Sequence, residues 1–139
     1  MRLLLDTHTF IWACAEPDKL SRAAQQAIAD PDNDVLVSAV TAWEIAIKRA
    51  LGRLDFPIER FVEFSASMGF EPLPMTVHHA IAAGALPRHH EDPFDRMLIA
   101  QARTEGATLM TEDGKFPLYD VALFSAPPSS SRQGPLSIE

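Results

Sequence analysis

The sequence predicts an α/β domain built on a short, mainly parallel β-sheet that is flanked by helices. Short apolar runs that stop at a polar residue alternate along the chain with longer segments of helical pattern. Clusters of turn-forming residues separate the two kinds of segment. The chain has 139 residues, of which 47% are apolar and 22% charged, and this composition fits one globular domain with a single core.

The first half of the chain shows this alternation most clearly. Its apolar patterns predict strands at residues 2–6 and 35–37 and helices at residues 8–15, 22–29, 41–51 and 58–68. Ser21 is a good N-cap for the helix at 22–29. Gly52 and Gly69 are typical of positions just beyond a helix end, so we expect the last two helices to stop there.

The second half repeats the pattern with more proline. We expect an extended segment at 70–75, helices at 76–86 and 94–105, a helical turn at 113–116, and strands at 108–111 and 121–124. Pro72 and Pro74 exclude the extended segment from a central position in the sheet. Asp92 and Pro93 form a typical helix start, and Gly106 a typical end.

The end of the chain differs from the rest in composition. Residues 127–139 contain three Pro, four Ser and one Gly in thirteen positions, and such segments rarely form a packed core. We therefore expect one domain over residues 1–126 and a disordered tail over 127–139.

Charge and cysteine content narrow the function classes. Twelve Lys and Arg against nineteen Asp and Glu give a net charge of −7, which argues against binding nucleic acid by bulk charge but allows an acidic metal site or a basic protein partner. The single cysteine, Cys14, has no internal partner, so a reducing compartment is the default. Asp6 interrupts the apolar start, and no run approaches the roughly 18 apolar residues of a membrane span. We expect a soluble, cytoplasmic protein without a membrane partner.

Four carboxylates fall at the edges of predicted strands and helices. Asp6 ends the first strand, Asp113 follows the strand at 108–111, and Glu44 and Asp95 lie near the starts of helices. In open α/β sheets, ligands bind beyond the carboxyl ends of the strands, so these four acids are candidates for one shared rim.

Each acid also has a purely structural explanation. Thr41 and Glu44 have the spacing of a capping box, in which Thr41 is the N-cap. Asp92 and Asp95 suit the N-cap and third position of a helix. Asp6 and Asp113 suit turns or caps. If the four meet instead, a buried carboxylate among like charges needs a cation, and a set of hard oxygen ligands selects Mg²⁺ or Mn²⁺.

Four segments carry a resemblance to a known family. Residues 3–8, 37–48, 92–102 and 111–113 resemble, in this order, the motifs of the PIN-domain ribonucleases, and most of all those of the VapC-type toxins of bacterial toxin–antitoxin pairs. Any one of these motifs is weak, whereas four in sequence order are specific. The resemblance covers residues 1 to about 124.

The resemblance implies a three-layer α/β/α fold and an endoribonuclease that depends on Mg²⁺ or Mn²⁺. It assigns Asp6, Glu44 and Asp95 as the core catalytic and metal-binding acids and Asp113 as a more variable fourth. The helix that follows Asp95 favours this residue over Asp92, which we interpret as the cap. Polar positions that would orient ligands or water are Ser38, Thr41 and Thr111. A homodimer and a small antitoxin with a basic segment are the implied partners, beside the RNA substrate.

Basic residues near these motifs are candidates for RNA contact, with solvated surface positions as the alternative: Lys48, Arg88, His90 and Arg96. Two other functions stay open at this point. One is a phosphoryl-transfer protein that uses Asp6 as acceptor, although His8 stands where such a phosphatase has a second acid. The other is a non-catalytic binding module in which the acids only cap helices.

Overall fold

The structure is a computed structural model that describes residues 1–89, 92–111 and 119–124. Strands and helices alternate over these ranges in the order β1 (Arg2–Leu5), α1 (Thr7–Ala15), α2 (Arg22–Ala29), β2 (Asp34–Ser38), α3 (Ala39–Ala50), α4 (Phe61–Ser67), β3 (Glu71–Leu73), α5 (Val77–Gly84), α6 (Pro93–Glu105) and β4 (Thr108–Met110). The predicted helical turn at 113–116 and the predicted tail at 127–139 lie outside the described residues.

The four strands form one parallel sheet in the order β3-β2-β1-β4. Leu4 of β1 lies opposite Leu36 of β2 on one side and Leu109 of β4 on the other. The predicted parallel α/β sheet is therefore confirmed. β3 lies at an edge of the sheet, as Pro72 within it requires. The predicted strand at 121–124 reduces to an isolated parallel bridge between Leu109 and Leu123.

Side chains of the sheet alternate between two cores. Leu3 and Leu5 pack on one face with Phe10 of α1, while Leu4 packs on the other face with Leu98 of α6. Since successive residues of a strand point to opposite faces, a wholly apolar strand such as β1 requires helices on both sides. The three-layer arrangement implied by the resemblance is confirmed.

The start of α3 differs from the prediction. The helix begins at Ala39, and its N-cap is Ser38, whose hydroxyl oxygen accepts a hydrogen bond from Val40 N at 2.9 Å. The predicted capping box of Thr41 and Glu44 is wrong because β2 runs directly into the helix, and Ser38 is the first residue able to cap it. Glu44 is thereby displaced from the first turn to the second, where it has no capping role.

Other helix ends follow the sequence signals. Asp92 caps α6, with Pro93 as first helical residue, and Ser21 caps α2. Gly106 ends α6 with a positive φ of 64°, a conformation that glycine adopts without strain. The helix predicted at 58–68 is split, since a single 3₁₀ turn at Ile58–Arg60 precedes α4. Among the described residues, no helix combines the length and apolar character needed to cross a bilayer.

Candidate active site

Three of the predicted acids line one pocket at the carboxyl edge of the sheet. Asp6 follows β1, Glu44 lies on α3, which follows β2, and Asp95 lies on α6. The pocket, which we call the acidic pocket, has a volume of about 350 Å³ and is lined by Asp6, Thr7, His8, Trp12, Glu44, Lys48, Asp92 and Asp95. Asp113, the predicted fourth acid, lies outside the described residues.

Asp6 is a buried carboxylate held by two hydrogen bonds. Its Oδ1 accepts from Thr9 N at 2.9 Å, which makes Asp6 the N-cap of α1, and its Oδ2 accepts from Thr111 Oγ1 at 2.6 Å. Asp6 is only 6% exposed to solvent. Burial raises the pKa of Asp6, and the hydrogen bonds from Thr111 and Thr9 offset this effect only in part.

Glu44 is the second buried acid, at 3% exposed. Its Oε1 accepts a hydrogen bond from Thr7 Oγ1 at 2.5 Å, and its Oε2 forms an ion pair with Lys48 Nζ. The Thr7 hydroxyl also lies 3.5 Å from the hydroxyl of Thr41, which is completely buried. Both carboxylate oxygens of Glu44 therefore have a polar partner within the protein.

Lys48 places a positive charge inside the acidic pocket. Burial alone lowers the pKa of Lys48, but the hydrogen bond and charge of Glu44 and the charges of Asp92 and Asp95 outweigh burial, and the net effect raises the pKa. The charges of three carboxylates thus act on one ammonium group. Its side chain is 30% exposed, so it reaches from the pocket to solvent.

Asp92 and Asp95 differ in their local roles although both line the acidic pocket. Asp92 Oδ1 accepts hydrogen bonds from Phe94 N at 2.8 Å and Asp95 N at 3.2 Å, which is the predicted cap of α6. Asp95 lies in the first turn of the same helix. Cap hydrogen bonds account for Asp92, and Asp95 lies at the third helical position, where the helix dipole favours an acid.

The three residues predicted to orient ligands or water lie at different distances from the acidic pocket. Thr111 contacts Asp6 directly, and Thr41 lies next to the Thr7 hydroxyl. Ser38 is more remote: it caps α3 and donates a hydrogen bond to Gln101 Oε1 at 2.6 Å. Ser38 is not among the residues that line the acidic pocket, and its observed contacts fix the start of α3 to Gln101 of α6.

The predicted RNA-contact residues are also dispersed. Arg96 donates from its guanidinium to the carbonyl oxygens of Ala83, Leu86 and Pro87, all within 3.0 Å, at the C-terminal end of α5 and just beyond it. Arg88 is exposed, and Lys48 lies in the acidic pocket. His90 lies outside the described residues. Contact of any of the four with RNA stays a prediction.

Sequence reasoning missed three residues of the pocket wall, namely Thr7, His8 and Trp12. Thr7, which binds Glu44, follows Asp6 at the carboxyl end of β1, and that position was a usable signal because the same sheet edge was already the expected site. Trp12 lines the pocket one and a half turns along α1, with its ring centroid 5.9 Å from that of His8. Nothing in the local sequence distinguishes Trp12 from the core residues of the same helix.

The pocket offers the ligand chemistry of a magnesium or manganese site. Hard carboxylate oxygens are the ligands these ions prefer, and desolvation of Asp6 is the penalty that a divalent ion relieves. Within residues 1–89, 92–111 and 119–124, no three His, Cys, Asp or Glu side chains are grouped closely enough to hold an ion as they stand. The donors fit such an ion in chemical kind and line one pocket together with Lys48, although their present spacing is not that of a formed metal site.

Comparisons with known proteins identify the family of this chain. The chain matches the PIN domain family over residues 3–122. It is 34% identical over 118 residues to Ribonuclease VapC22 of Mycobacterium tuberculosis, an alignment that covers 80% of this chain and 86% of that protein.

Solved structures with the same fold come from toxin–antitoxin complexes. The VapBC2 structure from Rickettsia felis, bound to a DNA fragment from its promoter, superposes with a TM-score of 0.65 at 15% identity and covers 88% of this chain and 96% of that chain. DNA-bound VapBC from Salmonella typhimurium gives a TM-score of 0.62 at 18% identity, with the same coverage. At these identities the likeness concerns the fold, while the family rests on the sequence match. The chain belongs to the PIN-domain family.

Proposed function

We propose that this protein is a divalent-metal-dependent endoribonuclease and the toxin of a toxin–antitoxin pair. The observation that carries the proposal is the meeting of Asp6, Glu44 and Asp95 in one pocket, from three separate parts of the chain. The sequence relative is named a ribonuclease, which supports RNA as the substrate. We assign Asp6, Glu44 and Asp95 as ligands of Mg²⁺ or Mn²⁺, with Asp113 as the more variable fourth acid carried over from the resemblance.

The ion, when bound, supplies an activated water as nucleophile and polarises the phosphodiester. The protein's own contribution is to hold the carboxylates in fixed orientations. Thr111 and the Thr9 amide fix the two oxygens of Asp6, and Thr7 fixes Oε1 of Glu44. Hydrogen bonds of this kind orient metal ligands and make them better donors, and their loss typically weakens metal binding about 10- to 100-fold.

RNA reaches such an acidic pocket only if its phosphates are neutralised there, because the protein carries a net charge of −7. We infer that the bound ion provides most of this neutralisation at the scissile phosphate. Unpaired RNA is the favoured substrate class, because its backbone is accessible without opening a duplex. Lys48 and Arg88 are the candidates for further phosphate contacts in the described residues.

A cognate antitoxin and a second copy of this chain are the proposed protein partners. Solved structures that share the fold include VapBC assemblies, which supports an antitoxin partner. A basic antitoxin segment suits the net charge and the acidic pocket. The homodimer is inferred from family membership alone. Action in the cytoplasm follows from the RNA substrate and agrees with the single cysteine.

The two other functions considered for the sequence have less support. A phosphatase that uses the first acid as acceptor has a second acid two residues later, and this chain has His8 at that position. A module whose acids only cap helices explains Asp6 and Asp92. It does not explain Glu44, which lies in the second turn of α3 and is buried in the pocket.

The test is cleavage of single-stranded RNA by the full-length chain with Mn²⁺ or Mg²⁺ and with EDTA. We expect cleavage only with the metal, and loss of cleavage in Glu44→Gln. The matched control is Asp55→Asn, because Asp55 is an exposed acid that does not line the acidic pocket. Equal cleavage by wild type and Glu44→Gln, or cleavage that persists in EDTA, would refute the metal-dependent nuclease.

A further inference from the structure

Lys48 occupies an unusual place for a lysine in a proposed metal site. It lies one helical turn after Glu44 on α3, lines the acidic pocket, and forms an ion pair with Glu44 Oε2. It is the one lysine or arginine among the residues that line the acidic pocket in the described part of the chain. The positive charge that pairs with Glu44 in this pocket is therefore a side chain of the protein itself.

The negative electrostatic potential at Lys48 comes from more residues than its ion-pair partner Glu44. The charges of Asp92 and Asp95, which reach the pocket from α6, act on the same ammonium together with that of Glu44. An ordinary i,i+4 pair on a solvated helix face has one partner and full solvent access. Lys48 lies on the pocket wall with Glu44, Asp92 and Asp95, and its Glu44 partner has a side chain that is only 4% exposed, so it is a counter-ion to these three acids.

The two oxygens of Glu44 have unequal partners. Oε1 accepts from the neutral hydroxyl of Thr7, and a divalent ion near this carboxylate does not repel a hydroxyl group. Oε2 faces the positively charged ammonium of Lys48. An ammonium and a divalent ion on the same carboxylate repel each other strongly in a partly buried site. Of the two contacts, the one with Lys48 conflicts with a bound ion.

We propose that Lys48 is an exchangeable counter-ion that competes with the divalent metal for Glu44. In the metal-free protein its ammonium offsets part of the negative charge of the acidic pocket, and binding of the ion requires the ammonium to leave Oε2. This inference rests on the proposed function, because it assumes that the acidic pocket binds the ion. The released side chain stays attached to α3 at the mouth of the pocket, where it is available to a substrate phosphate.

If Lys48 competes with the ion, its removal changes the metal affinity in the opposite direction to the removal of a residue that supports the site. Removal of a residue that supports the site weakens metal binding, whereas removal of a competitor strengthens it. For Lys48→Met we expect Mn²⁺ to bind about tenfold more tightly than to wild type, because the ion no longer displaces a like charge. Lys48→Arg keeps the charge, and its affinity should stay within about threefold of wild type.

The measurement is Mn²⁺ titration of the metal-free, full-length chain by isothermal calorimetry, without RNA. Arg49→Met is the matched control, because Arg49 lies on the same helix and carries the same charge but pairs with Glu59 outside the acidic pocket. Its Mn²⁺ affinity should stay within about twofold of wild type. Far-UV circular dichroism checks that each variant folds, and Lys48→Gln serves as a second neutral variant with the same expected gain.

The outcomes separate this inference from the proposed function. Tighter Mn²⁺ binding in Lys48→Met and Lys48→Gln, but not in Arg49→Met, supports the exchange. Equal or weaker binding in both neutral variants overturns it, even if wild type cleaves RNA in a metal-dependent manner. A similar gain in Arg49→Met also overturns it, because the effect would then be one of net charge. If neither wild type nor the neutral variants bind Mn²⁺, the inference and the proposed function fail together.

Discussion

Asp6 combines a structural role with a site role in one side chain. Its carboxylate caps α1 through Thr9 N and also lines the acidic pocket. Because burial raises the pKa of Asp6 above its ordinary value of 3.8, the folded protein binds this proton more tightly than the unfolded chain does. The ionised carboxylate therefore destabilises the metal-free fold. This penalty is absent below pH 3.8 and develops as the pH rises through the higher pKa of the folded state.

The melting temperature of Asp6→Asn tests whether the ionised Asp6 carboxylate destabilises the metal-free fold. Asparagine caps helices about as well as aspartate but carries no charge. In EDTA at pH 7, we expect Asp6→Asn to melt at the same temperature as wild type or higher, and this difference should shrink as the pH falls toward 4. Thermal unfolding followed by circular dichroism measures both. A variant that melts several degrees below wild type at pH 7 would contradict a desolvation penalty and indicate that the charge stabilises the fold.

Asp92 and Asp95 provide a second pair for comparison. Asp92→Asn keeps a good cap for α6, so we expect a stability change below about 1 kcal/mol and retained cleavage of RNA. Asp95→Asn should leave the fold intact and lower metal-dependent cleavage by at least about a hundredfold, because it removes a proposed ligand. RNA cleavage rates and unfolding in urea, measured on both variants, show which of the two acids is the metal ligand and which is only the cap. The reverse pattern would transfer the ligand role to Asp92.

At the level of elements, short connections between strands and helices bring the site together. β1 passes into α1 and β2 passes into α3 with at most one residue between them, so Asp6 and Glu44 both reach the same sheet edge. β4 ends next to β1, where Thr111 reaches Asp6. The parallel order of these strands is therefore the structural reason that distant residues meet.

Ser38 links this arrangement to the core. Its hydroxyl caps α3 and donates to Gln101, and Gln101 in turn lies 3.3 Å from His79 Nδ1. Ser38→Ala removes the cap and leaves a buried Gln101 oxygen without this donor. We expect a loss of about 2–3 kcal/mol in the free energy of unfolding in urea. Ser21→Ala, which removes only the exposed cap of α2, is the control and should cost about 1 kcal/mol. Equal losses would mean that the Gln101 contact contributes nothing.

The strands and helix ends were the most predictable part of the fold. Apolar runs such as residues 3–5 and capping residues such as Ser21 and Asp92 act locally, so the sequence around them contains the information. The start of α3 was not predictable from local spacing, because Thr41 and Glu44 match a capping box as well as Ser38 matches a cap. The choice depends on where β2 ends, and the pairing of β2 with β1 and β3 sets that point.

Part of the candidate site was predictable for a similar reason. Asp6, Glu44 and Asp95 were identified from motifs that follow the strand and helix boundaries. The role of Thr7, by contrast, depends on the distance between α1 and α3, which no single segment encodes. The position of Lys48 inside the pocket depends on α6 as well as on its own helix.

At the scale of the whole molecule, a negative protein is proposed to act on a negative polymer. The net charge of −7 opposes RNA binding at long range, and screening at physiological salt limits this repulsion to about 8 Å. A divalent ion bound in the acidic pocket, with Lys48 released from Glu44, would neutralise the RNA phosphate locally. The surrounding fold, with cores on both faces of the sheet, provides a rigid frame for that exchange.

The most direct test of the central claim is a crystal of the full-length chain soaked in Mn²⁺ and measured at the manganese absorption edge. We predict an anomalous peak in the acidic pocket with oxygens of Asp6, Glu44 and Asp95 about 2.0–2.6 Å away. A fully occupied peak elsewhere, or density that shows these three carboxylates bound to no common ion, would contradict the account.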